Sequence, residues 1–278
     1  MSKILVTGAS GGLGRLVSQR LADREDVVLG TRNPAPGGRR IDFDDPASLV
    51  EGFAGIGTLL LISAGEGEDD VVIARHEAAI SAAEDAGVRH IVYTSLSSDG
   101  DHLPYALAHR WTERRLRGSS RLEWTVLRNG LYAEFLAHIA APGPDGRITA
   151  PLGTGRLAAV AREDLAEVAA RVAVSAASHV GLTYELTGER ALGGADLAAA
   201  LSVPYEPGSL AGARAAIAGA GKAAAFQVPM LVGTYSAIAG GFMDGGDGRE
   251  SELARLLGRA PRSALDVYVE AVGGGRAA

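Results

Sequence analysis

The feature that most constrains the fold is a short apolar strand that runs directly into a glycine loop. Residues 4–6 are apolar, three glycines follow at spacing G-x-x-G-x-x-G (Gly8, Gly11 and Gly14), and an amphipathic helix begins at once. The first N–H groups of a helix have no partner within it, and its dipole places positive charge at that end. The pattern therefore predicts a pyrophosphate site in a Rossmann-type fold. An ordinary glycine-rich turn between a strand and a helix is the alternative.

Each glycine of this loop has its own expected role. Gly8 allows the tight turn, Gly11 lets the backbone approach the phosphates, and Gly14 lets the helix pack closely on the strand. The loop residues predicted to bind the cofactor are Gly8, Ser10, Gly11, Gly12, Leu13 and Gly14.

The end of the second predicted strand indicates which dinucleotide binds. Residues 27–30 form a second apolar stretch, and no acidic residue follows that could hold a ribose 2′-hydroxyl. Arg32 stands there instead, and an arginine at this place accommodates a 2′-phosphate because its planar fork matches the phosphate oxygens. Thr31 and Asn33 could add hydrogen bonds to the same group. The sequence thus favours NADP(H), although Arg32 could also be an ordinary exposed loop residue.

Composition narrows the class of protein. The 278 residues carry a formal net charge of −6 and contain no cysteine. The absence of a basic stripe argues against a nucleic-acid partner. Disulfides and thiolate sites are excluded, and the six histidines lack zinc spacing, so we expect no metal. No apolar stretch is long enough to cross a bilayer, and the chain opens on a strand, which predicts a cytoplasmic protein without a signal peptide or membrane partner. The oligomeric state stays open, a homodimer included.

Strands alternate with helices along the chain, which predicts an α/β protein with a doubly wound parallel sheet covered on both faces. We expect a Rossmann NADP-binding domain at 1–133, completed by about 156–188, and a loop over 134–155 that is rich in Pro and Gly. Residues 189–278 predict a smaller, mostly helical substrate-binding lobe. The predicted strands are 3–7, 27–31, 40–43, 58–62, 89–94, 124–127 and 182–186, and the predicted helices 12–23, 46–53, 70–86, 104–117 and 163–177.

Ligands of such sheets bind at the carboxyl ends of the strands. The third strand ends at Asp42 and Phe43, which could hold the adenine amino group and ring, although Asp42 could also be a simple turn residue. The fourth ends in small residues that leave room for the nicotinamide ribose, Ser63 and Ala64. The fifth strand ends at Thr94 and Ser95, which are further cofactor candidates. They could instead only cap the end of the strand.

These segments together resemble the NmrA-like atypical short-chain dehydrogenase/reductases, and within them the NADPH-dependent quinone oxidoreductase type-2 branch. The resemblance is carried by T-G-A-S-G-G-L-G, T-R-N-P, D-F-D-D-P-A-S-L, Y-T-S-L, H-x-x-T-E from His109 to Glu113, L-R-N-G-x-Y and A-R-E-D-L-A. It implies NADP(H), a small C-terminal substrate domain and a cleft between the domains. Members of the group reduce quinones, and others are redox-sensing regulators or biosynthetic tailoring enzymes.

The catalytic residues depart from the usual pattern of the superfamily. Typical members use Tyr-x-x-x-Lys on one helical face, and this chain has Tyr105 with His109 in the lysine position. A histidine can donate a proton or hydrogen bond, and a quinone needs little proton donation because hydride transfer yields a stable phenolate. Both residues could instead serve packing only, and Glu113 is expected to be an exposed helix acid.

The predicted substrate site adds polar and apolar side chains from the later strands. The third catalytic candidate is Asn129, and either Asn129 or Tyr132 would orient a substrate ring. Apolar walls are expected from Leu96, Leu131 and Phe135, with Phe226 and Phe242 from the C-terminal lobe. The sequence predicts an NADPH-dependent reductase of a quinone or related conjugated carbonyl, with tailoring of an aromatic polyketide as a variant. The alternative is a non-catalytic NADP(H)-sensing regulator.

Overall fold

The computed structural model describes residues 3–64, 67–245 and 251–276. The described chain divides into two compact units. The first unit comprises Met1–Ser95, Leu107–Arg128 and Glu163–Tyr184, and the second comprises Leu96–Ala106, Asn129–Arg162 and Glu185–Ala278.

A seven-stranded sheet forms the centre of the fold. Its strand order is β3-β2-β1-β4-β5-β6-β8, and the pairs from β3 across to β5 are parallel. The predicted α/β fold with a Rossmann-type parallel sheet is therefore confirmed. The strands are β1 (Lys3–Val6), β2 (Val27–Thr31), β3 (Arg39–Arg40), β4 (Ile56–Ile62), β5 (His90–Leu96), β6 (Glu123–Asn129), β7 (Arg156–Leu157), β8 (Thr183–Leu186) and β9 (Leu192–Gly193), the antiparallel pair β7–β9 forming a separate small sheet.

Helices connect the strands, as the alternation in the sequence predicts. Asp45 and Pro46 start the second helix where the sequence places it, and Gly87, with φ +73°, follows the third. The helices are α1 (Gly12–Arg20), α2 (Pro46–Phe53), α3 (Asp69–Asp85), α4 (Ala106–Arg117), α5 (Ala133–Ile139), α6 (Arg162–Val174), α7 (Gly194–Leu201), α8 (Leu210–Gly219), α9 (Gln227–Ala239), α10 (Leu253–Leu257) and α11 (Ala264–Arg276). None of these described helices is both long and apolar enough to cross a membrane.

The core of the first unit lies between the sheet and α2 and α3. It includes Leu5 and Leu59 from the strands and Leu49, Phe53 and Ile80 from the helices, all fully buried. Burial of side chains from both sides explains why the central strands are apolar runs rather than alternating sequences.

The second unit differs from the sequence prediction within residues 134–155. The Pro- and Gly-rich stretch predicts a loop, but its first residues belong to α5. Two buried tyrosines stabilise the end of this short helix, since the Tyr235 hydroxyl donates to the Ile139 carbonyl at 2.6 Å and the Tyr268 hydroxyl to the Ala140 carbonyl at 2.8 Å. These donors satisfy carbonyls that have no partner inside the helix. They come from residues about 100 or more positions away, which local sequence patterns do not reveal.

Candidate functional site

The glycine loop has the geometry that a bound pyrophosphate needs. Gly8 has φ +59°, a conformation that side-chain-bearing residues rarely adopt. The Gly11 amide donates to the Gly8 carbonyl at 2.9 Å, which closes the turn directly before α1. A Cβ atom on Gly14 would lie 2.0 Å from the Gly8 carbonyl oxygen, so only glycine fits there. The helix start therefore stays close to the strand end, with its first N–H groups free for phosphate oxygens.

The end of β2 lies beside this loop. The hydroxyls of Ser10 and Thr31 are 2.9 Å apart, and the Ala9 amide donates to the Gly30 carbonyl at 3.0 Å. These contacts bring two separately predicted cofactor segments together in the first unit.

Arg32 is exposed next to these hydroxyls, as is Asn33. The Arg32 guanidinium makes no hydrogen bond or ion pair with any other described residue. The charge of Arg32 helps to lower the pKa of Asp44, but this carboxylate is already paired with Arg75 at 2.7 Å. A free guanidinium beside hydroxyls and a glycine loop fits the 2′-phosphate of NADP(H).

The residues after β3 are partly engaged within the protein. The carboxylate of Asp42 accepts the Asp44 amide at 3.2 Å and pairs with Arg40 at 3.3 Å. Phe43 is half-buried and packs against the apolar core of the first unit. Asp42 still has acceptor capacity for an adenine amino group, since a carboxylate offers about four lone-pair directions.

The ends of β4 and β5 are joined by hydrogen bonds to buried side chains. The Ser63 amide donates to the Thr94 hydroxyl at 3.0 Å, and the Ala64 amide donates to Nε2 of His76 at 3.0 Å. The Ser95 hydroxyl donates to Glu113 at 2.7 Å. Because these hydroxyls are buried and make hydrogen bonds, Thr94 and Ser95 shape the strand end through their side chains.

His109 is half-buried, and Nδ1 of its ring lies 2.9 Å from the Tyr93 hydroxyl. Its Nε2 has no hydrogen-bond partner within the described parts of the chain. Burial lowers the pKa of His109 to about 4, the charge of Arg110 acts in the same direction, and Glu113 opposes both. The imidazole is therefore neutral at pH 7, with one nitrogen available to a ligand.

Glu113 is the clearest departure from the sequence prediction of an exposed helix acid. Its side chain is fully buried and forms ion pairs with Arg128 at 2.6 Å, Arg110 at 2.9 Å and Arg117 at 3.1 Å. The helical periodicity of α4 did not reveal this burial, because the arginine on β6 is brought near only by the fold. The H-x-x-T-E motif thus places two fully buried side chains, Thr112 and Glu113, inside the first unit.

Tyr105 lies one residue before α4, in a turn, rather than inside the helix. The i to i+4 relation that predicts one helical face for Tyr105 and His109 therefore does not apply. The Tyr105 hydroxyl is 3.4 Å from that of Thr234, a long contact, and burial raises the pKa of the phenol.

The second unit contains the other predicted substrate residues. The Oδ1 atom of Asn129 is buried and accepts no hydrogen bond from the described residues, and a buried orphan acceptor of this kind suits a ligand donor. The guanidinium of Arg162 lies 4.6 Å from the ring centre of Tyr132. The apolar candidates pack in one cluster, with Leu96 buried and Leu131, Phe135 and Tyr105 partly buried.

The two remaining aromatic candidates behave differently from these. Phe242 is half exposed and stacks on His102 with ring centres 3.9 Å apart, and Phe226 directly precedes α9. Neither lies among the buried members of the apolar cluster.

Two buried residues close to the ends of β4 and β5 were not predicted as site residues from the sequence, namely His76 on α3 and Tyr93 on β5. Both have fully buried side chains and contact predicted site residues. The available signal was a histidine on the apolar face of α3, a place where a buried polar ring needs hydrogen-bond partners. No group of three or more His, Cys, Asp or Glu side chains in the described ranges has the arrangement of a metal site.

Comparisons with known proteins agree with this geometry. A family model described as NAD(P)H-binding matches residues 8–175, more than half of the chain. Quinone oxidoreductase 2 of Escherichia coli (strain K12) is 38% identical over 213 residues, which are 72% of this chain and 73% of that protein.

Solved structures extend the similarity to nearly the whole chain. The triphenylmethane reductase of Citrobacter sp. complexed with NADP(H) has a TM-score of 0.85 at 29% identity, covering 97% of this chain and 99% of that one. The NADPH-dependent quinone oxidoreductase of Escherichia coli complexed with NADPH has a TM-score of 0.83 at 31% identity, covering 96% and 99%. The predicted nicotinamide cofactor is thereby confirmed. The chain belongs to the NAD(P)H-binding family of NmrA-like atypical short-chain dehydrogenase/reductases and is an oxidoreductase.

Proposed function

We propose that this protein reduces a quinone or a related conjugated carbonyl with NADPH as the hydride donor. The observation that carries the cofactor assignment is the free guanidinium of Arg32 next to the paired hydroxyls of Ser10 and Thr31. No carboxylate follows β2 at the point where it would bind a ribose 2′-hydroxyl. The glycine loop from Gly8 to Gly14 would hold the pyrophosphate, and the 2′-phosphate would lie against Arg32.

The nicotinamide would supply the hydride, and the protein supplies positioning and electrostatic stabilisation. The backbone after β4, at Ser63 and Ala64, is fixed by hydrogen bonds and is our candidate for the ribose and nicotinamide side. His109 would donate a hydrogen bond to the oxygen that gains charge when a quinone becomes a phenolate. Because a phenolate is much more stable than an alkoxide, a neutral donor suffices, and no lysine is needed to acidify a tyrosine.

The substrate class is inferred from the relatives together with the apolar cluster of the second unit. One relative is named for quinones and a structural neighbour for triphenylmethane dyes, and both are conjugated compounds. We propose residues 189–278, with 134–155, as the substrate-binding region. Leu131 and Phe135 would contact an aromatic ring, and Asn129 would orient that ring. An aromatic polyketide quinone is one substrate of this chemistry.

A regulatory role is the second candidate, since resemblance to the NmrA-like group allows a protein that senses NADP(H) without turnover. The observation that favours it is the absence of lysine from position 109. Location in the cytoplasm, a homodimeric state and the lack of a nucleic-acid partner remain predictions.

The deciding experiment follows NADPH oxidation by absorbance with a panel of benzoquinones, naphthoquinones and anthraquinones, and repeats each reaction with NADH. We expect turnover that depends on NADPH and rises for some of the ring systems. Tight NADPH binding by calorimetry with no turnover of any acceptor would overturn the reductase proposal and favour the sensor. Equal rates with NADH would overturn only the role assigned to Arg32 and would leave the reductase proposal standing.

A further inference from the structure

Five polar side chains of the first unit form a connected group at the ends of β4 and β5, here called the buried polar cluster. Its members are Ser63, His76, Tyr93, His109 and Thr112. Three of them, His76, Tyr93 and Thr112, are fully buried. In such surroundings each hydrogen has to be used by an acceptor, so the direction of every bond can be worked out in turn.

The tautomer of His76 follows from its neighbours. Nε2 of the ring receives the Ala64 amide at 3.0 Å, and an amide N–H can only donate, so this nitrogen carries no hydrogen. The hydrogen must therefore lie on Nδ1, which is 2.8 Å from the Thr112 hydroxyl. Burial lowers the pKa of His76 to about 3, which agrees with a neutral ring.

Thr112 comes next in the chain of bonds. Its hydroxyl donates to the Ala108 carbonyl at 2.7 Å and accepts from His76, so its only hydrogen is already used. Thr112 can thus accept a further hydrogen bond but cannot donate one to Tyr93.

The Tyr93 hydroxyl also has one hydrogen, and its nearest nitrogen is Nδ1 of His109 at 2.9 Å. Burial raises the pKa of Tyr93, and a hydrogen bond from Ser63 offsets this only in part, so the phenol keeps its hydrogen at neutral pH. An imidazole nitrogen is a better acceptor than an alcohol oxygen. The hydrogen therefore belongs in the bond from Tyr93 to His109, while Ser63 remains able to donate to the phenol oxygen.

We propose that Tyr93 is a positioning residue that donates to Nδ1 of His109 and thereby holds the ring hydrogen on Nε2, the atom offered to the ligand. The two buried histidines then have opposite tautomers, Nδ1–H in His76 and Nε2–H in His109. The inference deepens the proposed function and rests on it for the role of the Nε2 hydrogen, but the tautomer itself is independent of any activity.

The groups around His109 decide its behaviour with pH. Tyr93 faces it from β5 and His76 lies nearby on α3, and Arg110 and Glu113 act on it from its own helix. Since the ring is neutral throughout the physiological range, it acts as a hydrogen-bond donor rather than as an imidazolium acid. We expect kcat to be flat from about pH 5.5 to about pH 8, where an ordinary histidine would titrate.

The direct test is a long-range ¹H–¹⁵N NMR spectrum of the full-length protein with labelled histidine, which distinguishes the two neutral tautomers and the imidazolium. Resonances are assigned with His109→Gln and His76→Gln. We expect Nε2–H for His109 and Nδ1–H for His76 at pH 7. Nδ1–H or an imidazolium at His109 would overturn the proposal, whatever the activity measurements show.

Variants then test whether Tyr93 sets this state. Tyr93→Phe should give His109 a mixture of tautomers and lower kcat about 5- to 10-fold, the value of one hydrogen bond, with an unchanged Kd for NADPH. His109→Gln keeps a neutral donor and should retain more turnover than His109→Ala. A Tyr93→Phe protein that keeps the wild-type tautomer of His109 would contradict the proposal.

The chain offers a matched control in a second tyrosine–histidine bond. The Tyr184 hydroxyl lies 2.7 Å from Nδ1 of His179, and Tyr184 is also buried. Tyr184→Phe removes the same atom from the same kind of bond, so it should leave the spectrum of His109 and the turnover unchanged. If wild type shows no turnover of any quinone, the proposed function fails while the tautomer test still stands.

Discussion

The glycine loop (Gly8 to Gly14) and the buried polar cluster lie at neighbouring strand ends of the first unit but are built in opposite ways. The glycine loop keeps its groups free, since the first N–H groups of α1 are available to a ligand, and Arg32 beside it is exposed. In the cluster nearly every donor is engaged, as in the fully buried Thr112. Cofactor binding thus depends on groups left unpaired, whereas positioning of the reactive side chain depends on groups that are fully paired.

If this contrast is correct, changes near the cluster should first affect stability or turnover, and changes in the loop should first affect NADPH affinity. The largest effect on stability is expected for Glu113→Gln. The side chain is fully buried, and its loss of charge removes the ion pairs with Arg110, Arg128 and Arg117. We expect a decrease of about 3–5 kcal/mol in the free energy of unfolding, measured with chemical denaturants.

Glu77→Gln is the control for this change. It removes the same charge from a more exposed ion pair with Arg115 and should cost at most about 1 kcal/mol. Equal effects of the two variants would show that burial of Glu113 contributes nothing, and a loss of NADPH affinity in Glu113→Gln without loss of stability would reverse the contrast.

The lowered pKa of Glu113 also determines how the stability of the protein depends on pH. Burial alone would raise the pKa of this carboxyl, but hydrogen bonds from Arg128 and Ser95 and the charge of Arg110 outweigh burial and hold the pKa below its usual value of 4.5. The folded protein therefore binds this proton less readily than the unfolded chain. The contribution is complete above about pH 4.5 and is lost as pH falls further. Thermal unfolding from pH 7 to pH 3 should show a smaller acid loss in Glu113→Gln than in wild type.

Gly14→Ala should give the next largest effect. Its Cβ atom would lie 2.0 Å from the Gly8 carbonyl oxygen, so α1 would have to move away from the loop. We expect a cost of about 1–3 kcal/mol in stability together with loss of measurable NADPH binding. Gly219→Ala in α8 has open space around the new atom and should leave both quantities close to wild type. Unchanged NADPH binding in Gly14→Ala would remove the loop from the cofactor site.

The loop and the cluster also differ in how well the sequence predicts them. Gly8 and Gly14 are required by backbone geometry that acts over a few residues, so spacing alone located the turn and the strand–helix order. Glu113 and Tyr93 depend on partners brought together by the whole sheet, such as Arg128 on β6 and His109 on α4. A sequence pattern carries no information about which residue will neutralise a buried charge. The helix inside the predicted loop over 134–155 was missed for the same reason, since its caps come from Tyr235 and Tyr268.

Arg32→Ala isolates the part of the loop region that selects the cofactor. The guanidinium is expected to contact the 2′-phosphate alone, so its removal should weaken NADPH about 10- to 100-fold and leave NADH nearly unchanged, with no effect on stability. Calorimetric titration of both cofactors measures this. Arg89→Ala removes an equal charge from another exposed site and should change neither affinity. If NADPH and NADH weaken equally, Arg32 does not select the phosphate.

The smallest effect on stability is expected for Tyr105→Phe. Comparison with Tyr235→Phe distinguishes a hydroxyl available for chemistry from one used in packing. The contact of the Tyr105 hydroxyl with Thr234 is 3.4 Å long, so its loss should change the unfolding free energy by less than about 0.5 kcal/mol. Tyr235→Phe in the same apolar cluster should cost more, about 1–2 kcal/mol, because the 2.6 Å bond to the Ile139 carbonyl disappears and leaves that buried acceptor unpaired.

Turnover should show the opposite order. If the Tyr105 hydroxyl contacts the substrate, Tyr105→Phe lowers kcat about threefold while NADPH affinity stays constant, and Tyr235→Phe leaves kcat unchanged. Steady-state rates with the best quinone of the panel, measured beside denaturant unfolding of the same samples, give both quantities. A Tyr105→Phe enzyme with wild-type kcat would assign this tyrosine to packing and leave His109 as the donor, since a loose hydroxyl that affects neither stability nor rate has no role at the reacting oxygen.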